Sequence, residues 1–469
     1  MNKQTKIDFI DLVHSIISNF IDENYGDIKS ISSVPDPDTL SKEIDFTLGN
    51  KHSLDQMKGF IHQYLDYSIK TGNIHFYNQL FSGFSTLGYT GDAIVAATNA
   101  SMYTYEMSPV ATLMENELIK KMCQLIGYDN GGGTFVTGGS NGNFLALLAA
   151  RHKQNPDSKI EGLFNQRRLV GFVSKDSHYS MLKAANQSGI GLNNIIQIPV
   201  DSDGKMRLDY LESNIEKVKS KDDIPFFVAA TAGTTVRGAY DSINEIGDLC
   251  EYHNIWLHID GSWGGGVLFS SKHQHLMSGL EKSDSFTWCA HKILGVPIIC
   301  SMTMLKDKTI LKTINEVSGT DYLFHDDGHM DLGRLSLQCG RRVDVLKLWL
   351  FWKYYGDSDL EKQIDRLFDL ASYAKKKVVD SPILGLVPPV EFLNICFQIK
   401  PKNIPDENLN SFNILVRNQL IKEKGIMVNY AKIGENTCIR LITTNLDLQK
   451  THIDLFFESL HAVVDELLS

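Results

Sequence analysis

The chain contains several segments in which apolar side chains recur every three or four positions, the spacing of an amphipathic helix. Residues 5–22 show this spacing, with polar residues between the apolar ones. No partner helix of matching length follows early in the chain, so we expect the apolar side of this helix to lie against another subunit. Residues 33–40, which contain two prolines, are predicted to form a connector. Further helices are predicted over residues 53–68, 112–126, 144–151 and 243–253.

Short apolar runs that end in polar or glycine residues follow in the middle of the chain. They predict strands at residues 169–173, 194–200, 226–230, 255–259 and 286–288, and a further apolar segment covers residues 296–304. Strands that alternate with helices indicate a mostly parallel sheet, and the ligands of such sheets bind at the carboxyl ends of the strands. Four reactive side chains follow strand ends: His178, Thr234, Asp260 and Lys292.

Composition narrows the range of partners. The chain has 43% hydrophobic and 22% charged residues, which is ordinary for a globular protein. Its formal net charge of −10, without a block of lysine or arginine, argues against nucleic acid and anionic membranes as partners. The seven scattered cysteines are typical of reduced cysteines rather than of disulfides or a metal site. No signal peptide and no apolar run of the ~18 residues that a membrane span requires is recognisable, so we expect a soluble, cytoplasmic protein.

Lys292 is the first candidate for covalent chemistry. It lies in residues 288–295, between two apolar segments that should be buried. A buried lysine costs free energy unless its amine is paired, neutral or used covalently. A buried amine that is kept neutral can form a Schiff base with a carbonyl cofactor. The ordinary alternative is a lysine that extends from a strand end into solvent.

The glycine-rich residues 131–143 precede a predicted helix rich in Ala and Leu. Free backbone N–H groups and the positive end of the dipole at a helix N-terminus suit a phosphate. The segment is not a Walker A loop, and it lacks the spacing of a dinucleotide fingerprint. Taken alone, it is more typical of a glycine-rich turn with a Ser or Asn cap.

Together these residues supply the parts of a site for pyridoxal 5′-phosphate (PLP). Asp260 would be unfavourable alone at a buried strand end, but beside a protonated pyridine nitrogen it keeps the ring an electron sink. His178 would stack on the ring, residues 137–143 would hold the phosphate and Lys292 would form the Schiff base. His291 would contact the phosphate or the substrate, although a single histidine is more often structural.

Eight segments together resemble the group II PLP-dependent amino-acid decarboxylases, in particular the branch that acts on glutamate, cysteine sulfinate and aspartate. The similarity runs from about residue 45 to the C-terminus. The matching segments are residues 78–83, 105–110, 137–140, 177–180, 230–235, 258–266, 287–292 and 338–344.

The resemblance implies an α/β fold, the PLP-dependent transferase fold type I, in which helices flank a mostly parallel seven-stranded sheet. It implies a homodimer in which an N-terminal helical segment, residues 1–60, packs on the partner subunit. A large PLP-binding domain over residues 61–345 and a small α+β C-terminal domain over residues 346–469 would follow.

For the cofactor, the resemblance implies that Lys292 forms the Schiff base, Asp260 faces the pyridine nitrogen and His178 stacks on the ring. Lys292 and His178 are therefore also predicted to be catalytic. The predicted PLP-binding residues are Thr137, Gly138, Gly139, Ser140, Asn143, His178, Thr234, Asp260, Ser262, His291 and Lys292.

For the substrate, Gln79 and Arg440 match positions that contact the acidic group. A planar guanidinium suits a carboxylate or a sulfinate, and the apolar neighbours of Arg440 argue against a surface arginine. Phe81 resembles the cysteine sulfinate branch. Its ring would shorten the pocket, which favours a short acidic substrate.

The sequence departs from the family pattern near the reacting centre. Residues 325–337 match the mobile catalytic loop, but the segment is shorter and lacks the tyrosine that protonates Cα. His329 or His325 is therefore predicted to be the acid, with His329 as the catalytic candidate. Cys289 replaces an asparagine that can hold the phosphate, and Ser262 replaces an alanine beside the ring aspartate.

We therefore predict a PLP-dependent α-decarboxylase that converts a small acidic amino acid (cysteine sulfinate, aspartate or glutamate) into the amine and carbon dioxide. Because the loop tyrosine is missing, a lyase or a decarboxylation-dependent oxidase that forms an aldehyde is the first alternative. The second is a non-catalytic homologue that binds PLP poorly and serves as a structural or regulatory partner.

Overall fold

A computed structural model describes residues 2–25, 31, 34–164, 166–325 and 330–469 of the chain. Its α-helices are α1 (Lys3–Tyr25), α2 (Pro37–Glu43), α3 (Leu54–Asp66), α4 (Thr86–Thr98), α5 (Pro109–Ile126), α6 (Gly139–Gln154), α7 (Ser158–Glu161), α8 (Ser180–Gln187), α9 (Leu208–Lys219), α10 (Ile243–His253), α11 (Ala290–Ile293), α12 (Ile310–Asn315), α13 (Val345–Asp380), α14 (Leu409–Lys424) and α15 (Lys450–Leu468). Its strands are β1 (Phe76–Tyr77), β2 (Gly132–Val136), β3 (Leu169–Ser174), β4 (Ile195–Ile198), β5 (Ile224–Thr231), β6 (Trp256–Gly261), β7 (Ser285–Cys289), β8 (Ser301–Leu305), β9 (Leu384–Val387), β10 (Asn394–Ile399), β11 (Met427–Ile433) and β12 (Asn436–Ile442). None of the helices described here combines the length and the apolar character needed to cross a bilayer.

The chain forms two compact units. The split unit, named for its three separate segments, contains Met1–Gly83, Lys376–Gly385 and Phe397–Ser469. The large unit contains Phe84–Lys375 and Leu386–Cys396. The three-part division predicted from the sequence, with boundaries at residues 60 and 345, stays a prediction.

A seven-stranded sheet with the order β2-β8-β7-β6-β5-β3-β4 is the framework of the large unit. The strands β4, β3, β5, β6 and β7 pair in parallel, whereas β8 pairs antiparallel with both β7 and β2. Every residue of β3, β6 and β7 is buried, as expected for parallel strands that are covered on both faces. The prediction of a mostly parallel sheet is confirmed.

The glycine-rich segment contributes both a strand and the start of a helix. The sequence predicted a loop here, but residues 132–136 form β2, in which Gly133 pairs with Met304 of β8. A Cβ atom at Gly133 would lie 2.4 Å from the carbonyl oxygen of Thr303, so glycine permits the close approach of the two strands. The neighbouring strand β8 begins at Ser301 and takes up the second part of the apolar segment at residues 296–304.

The split unit brings the chain after β1 close to β12. Tyr77 of β1 pairs in parallel with Val428 of β11, and the next residue, Asn429, pairs antiparallel with Arg440 of β12. The five-stranded sheet to which these strands belong has the order β1-β11-β12-β10-β9.

The N-terminal part of the split unit is helical. The predicted connector at residues 33–40 contains the start of a helix, because α2 begins with Pro37 and the Asp36 side chain accepts hydrogen bonds from the first N–H groups. Proline is favoured at the first helical position, where no N–H bond is lost. Ser53 and Gln56 form a reciprocal capping box that starts α3.

Candidate active site

The four reactive residues that follow strands in the sequence lie at the carboxyl edge of the seven-stranded sheet. Asp260 is the last residue but one of β6, and Lys292 lies in α11, directly after β7. Because β6 and β7 are parallel neighbours, these two residues leave the sheet at the same edge. His178 lies between β3 and α8, and Thr234 follows β5.

Asp260 is a buried and ionised carboxylate. Its side chain accepts a hydrogen bond of 2.8 Å from Asn143 Nδ2 at Oδ2 and one of 3.1 Å from the Ser262 N–H at Oδ1. Burial alone raises the pKa of Asp260, but the hydrogen bonds to its carboxylate and the charge of Lys292 outweigh this effect. As a result, the pKa of Asp260 lies below its ordinary value. The carboxylate is therefore suited to a cationic partner.

His178 is half-buried and neutral. Its Nδ1 lies 2.8 Å from Ser180 Oγ. Burial lowers the pKa of His178, the charges of Lys292 and Lys183 lower it further, and only Asp260 acts in the opposite direction. An uncharged imidazole therefore lies beside an ionised carboxylate at this edge of the sheet.

The start of α6 offers backbone donors to a ligand. Gly138, with φ of 118°, precedes the helix and has no side chain to cap it. The first N–H groups of a helix have no partner within the helix, and together with the helix dipole they favour an anion. Thr137, just before the helix, and Ser140, in its first turn, are exposed.

A buried hydroxyl group beside this turn fits a phosphate. A Cβ atom at Gly139 would lie 2.3 Å from Ser262 Oγ and 3.2 Å from Cys289 Sγ. Ser262 Oγ is buried and has no hydrogen-bond partner in the part of the chain that the structure describes. Leaving such a group unpaired costs about 1–3 kcal/mol, so a ligand with acceptor oxygens would complete the site. Cys289 is itself engaged, because Ser301 Oγ donates to its Sγ at 3.1 Å.

His291 and Thr234 are held by their own loops. The Nδ1 of His291 lies 3.0 Å from the carbonyl oxygen and 3.1 Å from the amide nitrogen of Cys300, and burial lowers the pKa of His291 to about 4. The hydroxyl of Thr234 accepts a hydrogen bond of 3.1 Å from the Ala239 N–H. Both imidazole and hydroxyl are therefore fixed in position.

The three predicted substrate residues belong to the split unit. Arg440 is 6% exposed, and its Nη2 donates a hydrogen bond of 2.9 Å to the carbonyl oxygen of Asn78. This bond places the guanidinium at the peptide group that joins Asn78 to Gln79, and the side chain of Gln79 is exposed. Phe81 is half-buried, with its ring centroid 6.4 Å from that of Phe76.

The predicted proton donor, His329, lies outside the described residues, and His325 is exposed. Residues 331 and 333, farther along the chain, are held by hydrogen bonds to backbone groups of residues 103 and 105. Asp331 Oδ1 accepts a 3.0 Å hydrogen bond from the Tyr105 N–H, and the Gly333 N–H donates to the carbonyl of Tyr103 at 2.9 Å.

Sequence reasoning missed His258. It is fully buried, and its Nε2 lies 3.0 Å from Asn143 Oδ1. The signal was present in the alternation along β6, where Trp256, His258 and Asp260 occupy every second position and therefore point to the same face.

The family model for the pyridoxal-dependent decarboxylase conserved domain matches residues 37–400. The chain belongs to this family. This decarboxylase is a PLP-dependent carboxy-lyase, and the prediction of its family, enzyme class and cofactor is confirmed.

Relatives and solved structures agree with the family. Over 446 residues the decarboxylase is 36% identical to cysteine sulfinic acid decarboxylase of Homo sapiens, with 92% of this chain and 90% of the relative covered. The crystal structure of mouse CSAD in apo form has a TM-score of 0.95 and 34% identity, with 98% and 99% of the two chains covered. The structure of Oryza sativa TDC with PLP and tryptamine has a TM-score of 0.91 but 22% identity, with 100% and 99% covered, and it shares the fold. The predicted fold type I is confirmed.

Proposed function

We propose that this decarboxylase removes the α-carboxyl group of a short acidic amino acid, with cysteine sulfinate as the first candidate and aspartate and glutamate as the others. Buried Arg440, hydrogen-bonded to the carbonyl oxygen of Asn78 next to Gln79 in the chain, is the observation that carries the proposal. A guanidinium binds a carboxylate or sulfinate through two parallel hydrogen bonds. The similarity to cysteine sulfinic acid decarboxylases supports the order of candidates.

Phe81 favours the shorter substrates. A half-buried aromatic ring two residues after Gln79 would reduce the space available beyond the acidic group if it lines the substrate pocket. Cysteine sulfinate and aspartate are one methylene shorter than glutamate, so we expect them to be preferred. A smaller residue at position 81 should reduce this preference.

We propose roles for the residues at the sheet edge. When bound, PLP supplies an electron sink for the electrons released when the Cα–carboxylate bond breaks. Lys292 would attach the cofactor, Asp260 would keep its ring nitrogen protonated and His178 would stack on its ring. Thr137, Gly138, Gly139, Ser140 and Ser262 would hold its phosphate. Asn143 would orient Asp260, while His291 and Thr234 would line the site.

Whether a proton is returned to Cα decides between simple decarboxylation and the alternative, aldehyde-forming reaction. The sequence from Phe324 to Gln338 contains no tyrosine, and we propose His329 as the acid. If no group protonates Cα, dioxygen can take up the two electrons and two protons as hydrogen peroxide, and water then releases the carbon skeleton as an aldehyde and the nitrogen as ammonia. This second candidate function follows from the missing tyrosine alone.

Product analysis tests the proposal. The PLP-loaded chain is supplied with cysteine sulfinate, aspartate and glutamate, and carbon dioxide, amine, aldehyde and peroxide are measured together. Amine equal to carbon dioxide supports simple decarboxylation, whereas aldehyde with peroxide supports the alternative. Failure of the chain to take up PLP, or visible absorbance of PLP that persists in Lys292→Ala, would contradict the cofactor roles.

Two arginine variants test the substrate assignment. Arg440→Gln should lower kcat/KM for acidic substrates by about a hundredfold, because a buried acidic group would lose its charged partner. Arg417→Gln is the matched control, since this half-buried arginine of the same unit donates from Nε to the carbonyl of Val428. Equal losses in both variants would contradict the proposed role of Arg440.

We further propose a cytoplasmic homodimer with α1 in the subunit interface. Ile7 and Ile10 of α1 are 43% and 52% exposed, which supports a partner for this helix. The molar mass by light scattering tests the dimer, and Ile7→Glu with Ile10→Glu should shift it toward the monomer. An unchanged dimer mass would contradict the placement of α1.

A further inference from the structure

One face of β6 carries three side chains with polar groups, and all three are buried in the large unit. Trp256, His258 and Asp260 occupy alternate positions of the strand and are 7%, 0% and 5% exposed. Buried polar groups need hydrogen-bond partners. The partners found here form one continuous chain that ends at His178.

The side-chain amide of Asn143 is the branch point of this chain. Its Nδ2 donates to Asp260 Oδ2 at 2.8 Å and to Ser180 Oγ at 2.9 Å, which uses both of its hydrogens. The reversed amide would place Oδ1 against the carboxylate, with two acceptors facing each other. The orientation of the amide is therefore fixed by Asp260.

The orientation of Asn143 in turn fixes His258. Because Asn143 Oδ1 is an acceptor, His258 must donate to it from Nε2, across 3.0 Å. His258 Nδ1 then accepts from Ser285 Oγ at 2.9 Å, and the same hydroxyl accepts from Trp256 Nε1 at 2.8 Å. Tryptophan only donates, so the direction of each bond in this part of the chain is determined.

The other branch determines His178. Its Nδ1 lies 3.3 Å from the backbone nitrogen of Ser180, whose N–H points at it, so Nδ1 accepts. Ser180 Oγ already accepts from Asn143 and can donate its own hydrogen to the same Nδ1, across 2.8 Å. Two donors on one ring nitrogen leave the imidazole hydrogen on Nε2.

We propose that Ser180 and Asn143 are positioning residues that hold His178 as the neutral tautomer with its hydrogen on Nε2, through a hydrogen-bonded connection to Asp260. A proton added at Nδ1 would face the hydrogen of the Ser180 N–H. The Ser180 hydroxyl would also have to rotate, because it could no longer donate to Nδ1. The tautomer follows from the hydrogen bonds alone. Its consequence for the cofactor rests on the proposed function.

That consequence concerns charge. A protonated pyridine ring is cationic, and an imidazolium on its face would repel it, whereas a neutral imidazole does not. The charged groups that act on His178 are Asp260 from β6, Lys292 from α11 and Lys183 from α8. Asp260 favours protonation of His178, so the two donors at Nδ1 oppose the effect of the carboxylate that the cofactor requires.

Ser180→Ala in the full chain is the test, with Ser188→Ala as the matched control. Ser188 is also buried, at the end of the same helix, but its Oγ donates to the carbonyl of Ala185 at 3.2 Å. Ser180→Thr restores a hydroxyl. The readout is the ¹⁵N shift of the His178 ring nitrogens as a function of pH, assigned with His178→Gln and recorded with and without PLP.

In the wild-type chain we expect Nδ1 of His178 to be unprotonated and Nε2 to carry the hydrogen. Ser180→Ala should raise the proton affinity of His178 roughly fivefold, the effect of losing one hydrogen bond to the neutral form. Ser188→Ala should leave it unchanged, and Ser180→Thr should return it toward the wild-type value. As the pH is lowered, His178 becomes protonated and PLP should bind more weakly. In Ser180→Ala this loss of affinity for PLP should begin at a higher pH than in the wild type.

Two results would overturn the proposal: a hydrogen on Nδ1 in the wild-type chain, or the same titration of His178 in Ser180→Ala as in the wild type. The spectra of the chain without PLP separate this inference from the proposed function. If the tautomer and its shift are as expected but the chain forms no product, the proposed function fails and the assignment of Ser180 is supported.

Discussion

Acid should destabilise this decarboxylase through His258, and the effect can be calculated. Burial lowers the pKa of His258 to about 4, whereas a histidine in the unfolded chain has a pKa of about 6.5. At pH 5 the unfolded chain therefore binds a proton at this position that the folded chain does not bind, so stability is lost as the pH falls. With these two values, His258 alone lowers the free energy of unfolding by about 1.8 kcal/mol between pH 7 and pH 5.

Other buried groups titrate in the same range, so the effect must be isolated by difference. His291, whose pKa burial also lowers to about 4, acts in the same direction as His258. Asp241 acts in the opposite direction, because burial raises its pKa to about 6 and acid then stabilises the fold. Comparing the wild-type chain with His258→Gln at both pH values cancels these contributions.

Urea unfolding at pH 7 and pH 5 is the assay. His258→Gln retains a donor for Asn143 but has no titrating group, so its stability should fall by about 1.8 kcal/mol less than that of the wild type. Exposed His275→Gln is the control, and it should follow the wild type. If His258→Gln loses as much stability in acid as the wild type, His258 is not a buried neutral group and the reasoning is refuted.

Three further sets of variants test buried contacts of the large unit. Gly139→Ala would bring a Cβ to 2.3 Å from Ser262 Oγ and should weaken PLP binding at least about tenfold in an absorbance titration, a loss expected from overpacking a buried site; adding Ser262→Ala should recover part of it. Asn143→Asp should weaken PLP binding more than Asn143→Ala in the same titration, because it places a second carboxylate beside the first. Arg341→Met should lower the free energy of unfolding in urea by about 3–5 kcal/mol, because it leaves the buried Glu115 carboxylate without its cationic partner. The two side chains are 3% and 1% exposed and 2.7 Å apart, and combining Arg341→Met with Glu115→Leu should cost less than Arg341→Met alone.

Hydrophobic periodicity predicted the elements whose surroundings are simple. The helix over residues 243–253 was placed correctly because one apolar side faces the sheet and Asn254 ends it with a positive φ of 52°. The central strands were recognisable because both of their faces are buried, which produces continuous apolar runs. Strand ends could then be located, and with them Asp260 and Lys292.

The features that were missed depend on contacts between distant residues. Glycine is rare in strands, so residues 132–136 resembled a loop, and only the carbonyl of Thr303 across the sheet explains why Gly133 is needed in β2. The role of His258 was missed for a similar reason. Its partners, Asn143 and Ser285, lie on α6 and β7, and neither spacing nor composition indicates that they meet.

The discontinuity of the split unit determines the order in which the protein can fold on the ribosome. Tyr77 pairs with Val428, about 350 residues later, which at a synthesis rate of about 5–20 residues per second corresponds to roughly 20–70 seconds. During that time residues 84–375, which form most of the large unit, have emerged, while β1 still lacks its neighbour and Phe76 and Tyr77 cannot yet be buried. A nascent chain that stops before residue 427 therefore carries an aromatic strand without its sheet, and we expect such truncated chains to be retained by chaperones that bind exposed apolar segments.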